Sequence, residues 1–123
     1  MERLSERPLV VLIDDEPEVL AALKRSLARE PYIVLTTTKP RSALRWVEAL
    51  DVGAVVSDER MPDMSGTDLL ARVSDRSPMT ARILLTAFSG RGFRSCAQCM
   101  IAKPWDDLML RHAIREFLSR EAG

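Results

Sequence analysis

Cysteine, histidine and aromatic residues are scarce in this 123-residue chain, and neither sign of charge is in excess. Its two cysteines, without a secretory signal, exclude a disulfide framework. Lys and Arg number 18, as do Asp and Glu, so no net charge attracts nucleic acid or an anionic membrane. No apolar run approaches the ~20 residues that cross a bilayer, and the charged segment Met1 to Pro8 is unlike a signal peptide. We therefore expect a soluble, cytoplasmic protein that contacts neither membrane nor nucleic acid directly.

What is present is enough apolar sequence for one core. Hydrophobic residues make up 46% of the chain, which predicts a single domain over residues 1–123. Continuous apolar runs predict five strands, at Leu9–Ile13, Tyr32–Leu35, Val52–Val56, Ile83–Leu85 and Met100–Ala102. Apolar residues at helical spacing predict helices from Pro17 to Leu27, Pro40 to Leu50, Gly66 to Val73 and Trp105 to Leu118.

This alternation of strands and helices predicts an α/β fold. Consecutive parallel strands need crossover connections, so we expect a parallel sheet with helices on both faces, a three-layer sandwich. Strands buried on both sides read as unbroken apolar runs, as these do. The segment Phe88 to Gln98 contains Gly90 and Gly92 and few apolar residues, so a fourth helix within it is expected to be short or irregular.

Polar side chains follow or end four of the five predicted strands. Asp14 and Asp15 close the first, Asp58 the third, Thr86 the fourth and Lys103 the fifth. The carboxyl ends of parallel strands meet at one edge of the sheet, where open α/β sheets bind ligands. Carboxylates gathered there repel one another, which favours a divalent hard cation such as Mg²⁺. Asp58 could also act as a nucleophile that accepts a phosphoryl group, with Lys103 and Thr86 binding its oxygens.

Over essentially its whole length the chain resembles the receiver domain of two-component response regulators. The matching motifs are Asp14-Asp15-Glu16, Asp58 with Met61-Pro62 and Gly66, Leu85-Thr86-Ala87, and Lys103-Pro104-Trp105. The resemblance implies a flavodoxin-like (βα)5 fold with strand order 2-1-3-4-5. It also implies that a sensor histidine kinase or phosphotransfer protein donates phosphate to Asp58, and that an output domain or effector protein receives the signal.

The resemblance assigns roles to the residues at the sheet edge. The implied Mg²⁺ site consists of Asp14, Asp15, Asp58 and the backbone carbonyl of Arg60, with Asp14 acting through water. The implied phosphoryl site consists of Asp58 as acceptor, together with Thr86 and Lys103. Such a domain catalyses only its own phosphorylation and dephosphorylation.

Two features depart from the family pattern. Thr86 and Lys103 are 17 positions apart, a separation shorter than usual in the family by more than one helical turn. Met100 occupies a position that is commonly aromatic and moves with the threonine. We expect phosphate acceptance to be intact and the output face to be unusual. A homodimer stays an open alternative, because the face that often pairs in this family is the altered one.

Other functions are also open from the sequence. One is a phosphorylation-independent interaction domain on the same fold. An aspartate-dependent phosphatase is disfavoured because Asp14-Asp15-Glu16-Pro17-Glu18 lacks the Asp-x-Asp-x-Thr pattern of that class, and a dinucleotide binder because no Gly-x-Gly-x-x-Gly follows the first strand. Cys96 and Cys99 have Cys-x-x-Cys spacing, but they precede a strand and lack a second ligand pair, so we expect small buried thiols.

Overall fold

Apolar strands and amphipathic helices alternate in the computed structural model, which describes residues 7–87 and 96–122. The strands are β1 (Leu9–Ile13), β2 (Ile33–Thr37), β3 (Val52–Asp58), β4 (Ala81–Thr86) and β5 (Cys99–Ala102). The helices are α1 (Pro17–Ser26), α2 (Pro40–Ala49), α3 (Gly66–Arg76) and α4 (Asp107–Ala122). The short helix predicted within Phe88–Gln98 falls mainly on residues 88–95, which lie outside the described residues.

All strand pairs are parallel, and the strand order is β2-β1-β3-β4-β5. The predicted flavodoxin-like order is thus confirmed. The strands extend further than the apolar runs did, since β2 reaches Thr37 and β3 reaches Asp58. Pairing explains the extension of β2, because Thr36 and Thr37 lie opposite Leu12 and Ile13 of the interior strand β1. Backbone pairing with the buried strand β1 therefore includes in β2 two polar residues that the sequence pattern alone places in a loop.

Both faces of the sheet are covered by helices, as the apolar strands predict. Side chains alternate along β1, so Val10 and Leu12 pack on one face while Val11 and Ile13 pack on the other. The first face is covered by apolar residues of α1 and α4, and the second by those of α2 and α3. None of the helices in the described ranges is both long and apolar enough to cross a membrane.

The helices begin where the sequence provides suitable residues. Proline stands at the start of α1 and α2, where its missing N–H costs no helical hydrogen bond. Ser65 caps α3, since its Oγ accepts a hydrogen bond of 3.0 Å from the backbone N–H of Asp68. Trp105 lies just before α4, packs against the core, and donates from Nε1 to Ser26 Oγ at the end of α1.

The expectation of two buried thiols is wrong for Cys96. Its side chain is exposed, whereas Cys99 on β5 is half-buried. Cys96 lies in the connection to β5, where Arg82 Nε donates a hydrogen bond of 2.9 Å to its backbone carbonyl. Gln98 in the same connection exchanges two hydrogen bonds with the backbone of Arg82. This connection is organised by a β4 arginine and not by burial of sulfur.

The junction between β3 and α3 brings two backbones into close contact. A Cβ atom on Gly66, the first residue of α3, would overlap the backbone carbonyl oxygen of Asp58 and would lie 2.8 Å from Leu84 Cδ1. The φ of Gly66 is not of the left-handed type, so its backbone conformation does not require glycine. The close approach of helix and strand does, because it leaves no room for a Cβ atom. The backbone at Asp58 and the start of α3 are therefore in direct contact.

Replacing Gly66 with alanine should therefore lower the free energy of unfolding by about 2 kcal/mol or more, because the obstructing atom is backbone and cannot turn aside. Gly53→Ala is the matched control. Its Cβ would meet mainly Leu118 Cδ2, the far end of a flexible side chain, so we expect a change below about 1 kcal/mol. Urea denaturation of both variants measures the difference. Equal losses in the two variants would contradict the close-contact argument.

Candidate functional site

The polar residues predicted at the strand ends gather around one pocket. The pocket has a volume of about 480 Å³ and is lined by Asp15, Glu16, Asp58, Arg60, Thr86, Ala87 and Lys103. Asp14 lies beside the pocket, fully buried at the end of β1. The structure thus brings together all six residues that the sequence nominated, from four different strand ends.

Lys103 joins the ends of β1 and β3 from across the sheet. Its Nζ donates hydrogen bonds of 2.9 Å to Asp14 Oδ2 and of 2.9 Å to Asp58 Oδ1. The backbone N–H of Lys103 also donates to the Thr86 carbonyl oxygen at 2.9 Å, which continues the pairing of β5 with β4. The Lys103–Pro104 peptide bond is cis. One ammonium therefore bridges two carboxylates whose strands are neighbours.

Burial makes these contacts electrostatically strong. Asp14 is 0% exposed, Asp58 7% and Thr86 4%. Burial raises the pKa of Asp58 above its ordinary value; the hydrogen bond from Lys103 lowers that pKa without cancelling the rise, and the charge of Asp14 adds to it. Burial lowers the pKa of Lys103, but the hydrogen bonds to Asp14 and Asp58 outweigh it, so that the pKa is raised. The lysine is held charged between the two acids.

Acidic side chains outnumber the one lysine at this edge. Carboxylate oxygens of Asp14, Asp15 and Glu16 lie within 4.8 Å of one another. Asp14 Oδ1 already accepts a hydrogen bond of 2.9 Å from the Glu16 backbone N–H, and its Oδ2 is taken by Lys103. Asp14 is thus occupied by protein donors, whereas Asp15 faces the pocket. Of the two acids that follow β1, Asp15 is therefore the one that lines the pocket.

Glu16 is the pocket residue to which the sequence prediction gave no role. It lines the pocket, is exposed to solvent, and completes the cluster of three acids. The signal that could have identified it is its place directly after Asp14 and Asp15, where the chain leaves β1 and turns into α1. Arg60 is exposed and lines the pocket too, two residues beyond Asp58.

The donor set fits a small hard cation and a phosphoryl group. Oxygen ligands from a few carboxylates and a backbone carbonyl are those that Mg²⁺ takes in proteins, and the open pocket leaves space for water and phosphate oxygens. The Lys103 ammonium and the buried Thr86 stand beside Asp58, where negative charge on a phosphoryl group would develop. The arrangement therefore has the parts for phosphoryl transfer to a carboxylate.

Comparisons with known proteins agree with this fold and site. The model of the response regulator receiver domain family matches residues 10–115. Transcriptional regulatory protein GlrR of Escherichia coli (strain K12) is 31% identical over 125 residues, covering 97% of this chain and 28% of GlrR. A solved signal receiver domain of an HD domain-containing protein from Pseudomonas fluorescens Pf-5 has a TM-score of 0.88 at 30% identity, over 95% of this chain and 98% of that one.

A further solved structure contains ligands. Response regulator protein TrrA from Thermotoga maritima, in complex with Mg²⁺ and BeF, has a TM-score of 0.83 at 26% identity, over 89% of this chain and 98% of that chain. The fold and the edge residues thus define a receiver domain. This chain belongs to the response regulator receiver domain family of two-component systems. It spans a third or less of the length of the curated relatives that it matches.

Replacing Lys103 with methionine should reveal the cost of the buried acids. The variant leaves Asp14 and Asp58 without their common cation, so in metal-free buffer at neutral pH we expect the free energy of unfolding to fall by about 3 kcal/mol. Adding Asp58→Asn to Lys103→Met should restore part of the loss, because one unpaired carboxylate is removed.

Lys24→Met, at an exposed lysine of α1, is the control and should stay close to the native stability. Guanidinium denaturation in the presence of a chelator measures all four proteins. A Lys103→Met variant as stable as the native chain would contradict the view that the ammonium compensates the burial of these carboxylates.

Proposed function

We propose that this chain is a phosphoacceptor receiver domain of a two-component response regulator, acting as one domain over residues 1–123. A sensor histidine kinase or phosphotransfer protein donates the phosphoryl group to Asp58 with Mg²⁺, and an output domain or effector protein receives the signal. The observation that carries the proposal is the position of Asp58, which is buried in a pocket with Thr86 and bridged by Lys103 to Asp14, directly after β1.

The chemistry follows from the groups around Asp58. A carboxylate oxygen of Asp58 attacks phosphorus while the bond from phosphorus to the donor histidine nitrogen breaks, so an oxygen–phosphorus bond replaces a nitrogen–phosphorus bond. Lys103, already 2.9 Å from Asp58 Oδ1, supplies positive charge to the transferring oxygens. Thr86 ends the adjacent strand β4 and donates its hydroxyl hydrogen to one of them. The domain thereby catalyses only its own phosphorylation and dephosphorylation.

The metal would be held by Asp15, Asp58 and the backbone carbonyl of Arg60, with Asp14 acting through water. When bound, Mg²⁺ neutralises charge on the phosphoryl oxygens. Asp15, Asp58 and Arg60 all line one pocket, and the Asp14–Asp15–Glu16 cluster lies at its edge, which supports this assignment. TrrA, solved with Mg²⁺ and the phosphoryl mimic, supports the same pairing of metal and phosphoryl sites.

The relatives also support a place for the domain in signalling. GlrR is a transcriptional regulatory protein that is much longer than the matched segment, as expected if a receiver acts on a separate output domain. We also propose a cytoplasmic location for this chain, because it belongs to the response regulator receiver domain family. The domain itself binds neither membrane nor nucleic acid in this proposal, because its charges balance.

Incubation with Mg²⁺ and acetyl phosphate should place one phosphoryl group on the native chain. The adduct should resist acid and be released by hydroxylamine, as an acyl phosphate is, and peptide mass spectrometry should locate it at Asp58. Asp58→Asn should abolish it, and a chelator should reduce it strongly.

Asp75→Asn is the matched control, since Asp75 is an exposed acid on α3, away from the pocket. It should accept phosphate as the native chain does. A native chain that forms no adduct, or an adduct that persists in Asp58→Asn, would refute phosphate acceptance at this site.

A second candidate is an interaction domain that works without phosphorylation. The observation that favours it is at the output side, where Met100 replaces the usual aromatic residue and is 41% exposed on β5, and only 17 positions separate Thr86 from Lys103. Beryllofluoride with Mg²⁺ distinguishes the two candidates. We expect it to shift backbone amide resonances of β4 and β5 and to change the affinity for a partner. An unchanged affinity despite bound beryllofluoride would favour the second candidate.

A further inference from the structure

Glu59, the residue directly after Asp58, holds the start of α3 with both its backbone and its side chain. Its backbone carbonyl accepts a hydrogen bond of 2.9 Å from the Gly66 N–H. Its carboxylate Oε1 accepts two more, each 2.8 Å long, from the backbone N–H and the hydroxyl of Thr67. We call these three hydrogen bonds the Glu59 clamp. The clamp joins the end of β3 to the first turn of α3.

The clamp is additional to the ordinary cap of the helix. Ser65 Oγ caps the helix by accepting from the Asp68 N–H, and the Ser65 carbonyl accepts from the Leu69 N–H at 2.9 Å as an ordinary helical bond. The N–H groups of Gly66 and Thr67 are bonded by Glu59 instead. The carboxylate nevertheless faces the positive end of the helix dipole and makes charge-assisted hydrogen bonds, which are stronger than neutral ones. Its role is therefore to fix where the helix begins relative to the strand, beyond satisfying orphan N–H groups.

The segment that the clamp closes contains a residue of the metal site. Residues 60–65 leave β3 and return to α3, and they include the exposed Arg60, Pro62 and Asp63. Only Met61 and Met64 of this segment pack, partly buried, against the core. Arg60 is exposed and is not among the residues packed against the core, so the direction of the backbone there depends on the two ends that Glu59 joins.

We propose that Glu59 is a positioning residue for the Mg²⁺ site, which it serves by orienting the Arg60 carbonyl toward the pocket. The inference rests on the proposed function, in which that carbonyl is a ligand. Glu59 itself is not among the described residues that line the pocket of Asp58; it lines a neighbouring depression with Asp15, Arg60, Met61, Pro62 and Ser65. Its carboxylate is turned to Thr67 and acts on the metal through the backbone.

A different effect of Glu59 must be separated from this one. A carboxylate close to a cation attracts it by charge alone, without orienting anything. Glu59→Gln distinguishes the two effects, because glutamine keeps an acceptor oxygen for both Thr67 donors and removes the charge. Glu59→Ala removes both. On the Thr67 side, Thr67→Ser keeps the hydroxyl donor and Thr67→Val removes it, while the backbone N–H stays in each.

The measurement is the Mg²⁺ dissociation constant of the unphosphorylated chain, from titration calorimetry and from the carbonyl carbon shift of Arg60. We expect Glu59→Ala to weaken binding about tenfold, as loss of an outer-shell partner commonly does, and to diminish the Arg60 shift at saturation. Glu59→Gln and Thr67→Ser should stay within about threefold of the native value. Thr67→Val should fall between the two groups.

Two controls keep the outcomes distinct. Ser65→Ala removes the ordinary helix cap, so equal weakening in Ser65→Ala and Glu59→Ala would assign the effect to general loosening of α3 and overturn the proposal. Equal weakening in Glu59→Gln and Glu59→Ala would assign it to charge, and a native affinity in Glu59→Ala would remove the role altogether. Asp15→Asn, which lacks a proposed ligand, is the control for the metal site itself. A native chain that binds Mg²⁺ no better than Asp15→Asn would overturn the proposed metal site. Native binding of Mg²⁺ that Glu59→Ala leaves unchanged would overturn only the positioning role.

Discussion

The bridge from Lys103 to Asp14 and Asp58 is the interaction on which the arrangement of the site depends. In the order β2-β1-β3-β4-β5, the lysine starts from β5 and reaches the ends of β3 and β1 across β4. Neighbouring strands are ~4.8 Å apart, so only a long side chain with its charge at the tip spans that distance. Burying two carboxylates would be costly without this ammonium, and the ammonium would be costly without them. The three strand ends are thus fixed relative to one another by charge as well as by backbone pairing.

The same balance of charge prepares the site for its proposed chemistry. One lysine does not neutralise Asp14, Asp15 and Asp58 together, and the excess acid faces an open pocket and not the core. A cation of two charges added there would bring the net charge of these four groups to about zero, and a phosphoryl group would then make it negative again. Lys103 would no longer need Asp58 Oδ1 as its acceptor, since phosphoryl oxygens would stand in the same direction. A change at Asp58 would therefore reach β5 through Lys103, which follows β5 directly and is hydrogen-bonded to Asp58.

The sequence predicts most of this fold because each strand is a continuous apolar run between turn residues. It predicts that Asp14, Asp15, Asp58, Thr86 and Lys103 meet at one edge because they end or follow those strands, whereas Arg60 was assigned through the family resemblance alone. It predicts the strand bounds less well. Polar residues such as Thr37 and Asp58 lie within strands because a buried neighbouring strand pairs with them. Cys96 is exposed in a connection whose backbone is bonded by Arg82, an interaction between positions 14 residues apart that no local pattern encodes. Glu16 belongs to the matching motif Asp14-Asp15-Glu16 but received no role, and the structure adds that it lines the pocket beside those two acids.

The junction of β3 and α3 shows most clearly what a local reading of the sequence leaves out. Gly66 has an ordinary backbone conformation, so its requirement comes entirely from the Asp58 carbonyl that it faces. From the sequence alone Glu59 is only a polar residue next to Asp58, and its two hydrogen bonds from Thr67 are visible only in the structure. Both residues couple the backbone of Asp58, the proposed phosphoacceptor, to a helix that packs against the core. A receiver must hold its acceptor within fractions of an ångström while leaving the pocket open to solvent and donor. Attachment of the Asp58 backbone to α3 through Gly66 and the Glu59 clamp satisfies both requirements, because it constrains the backbone without filling the pocket.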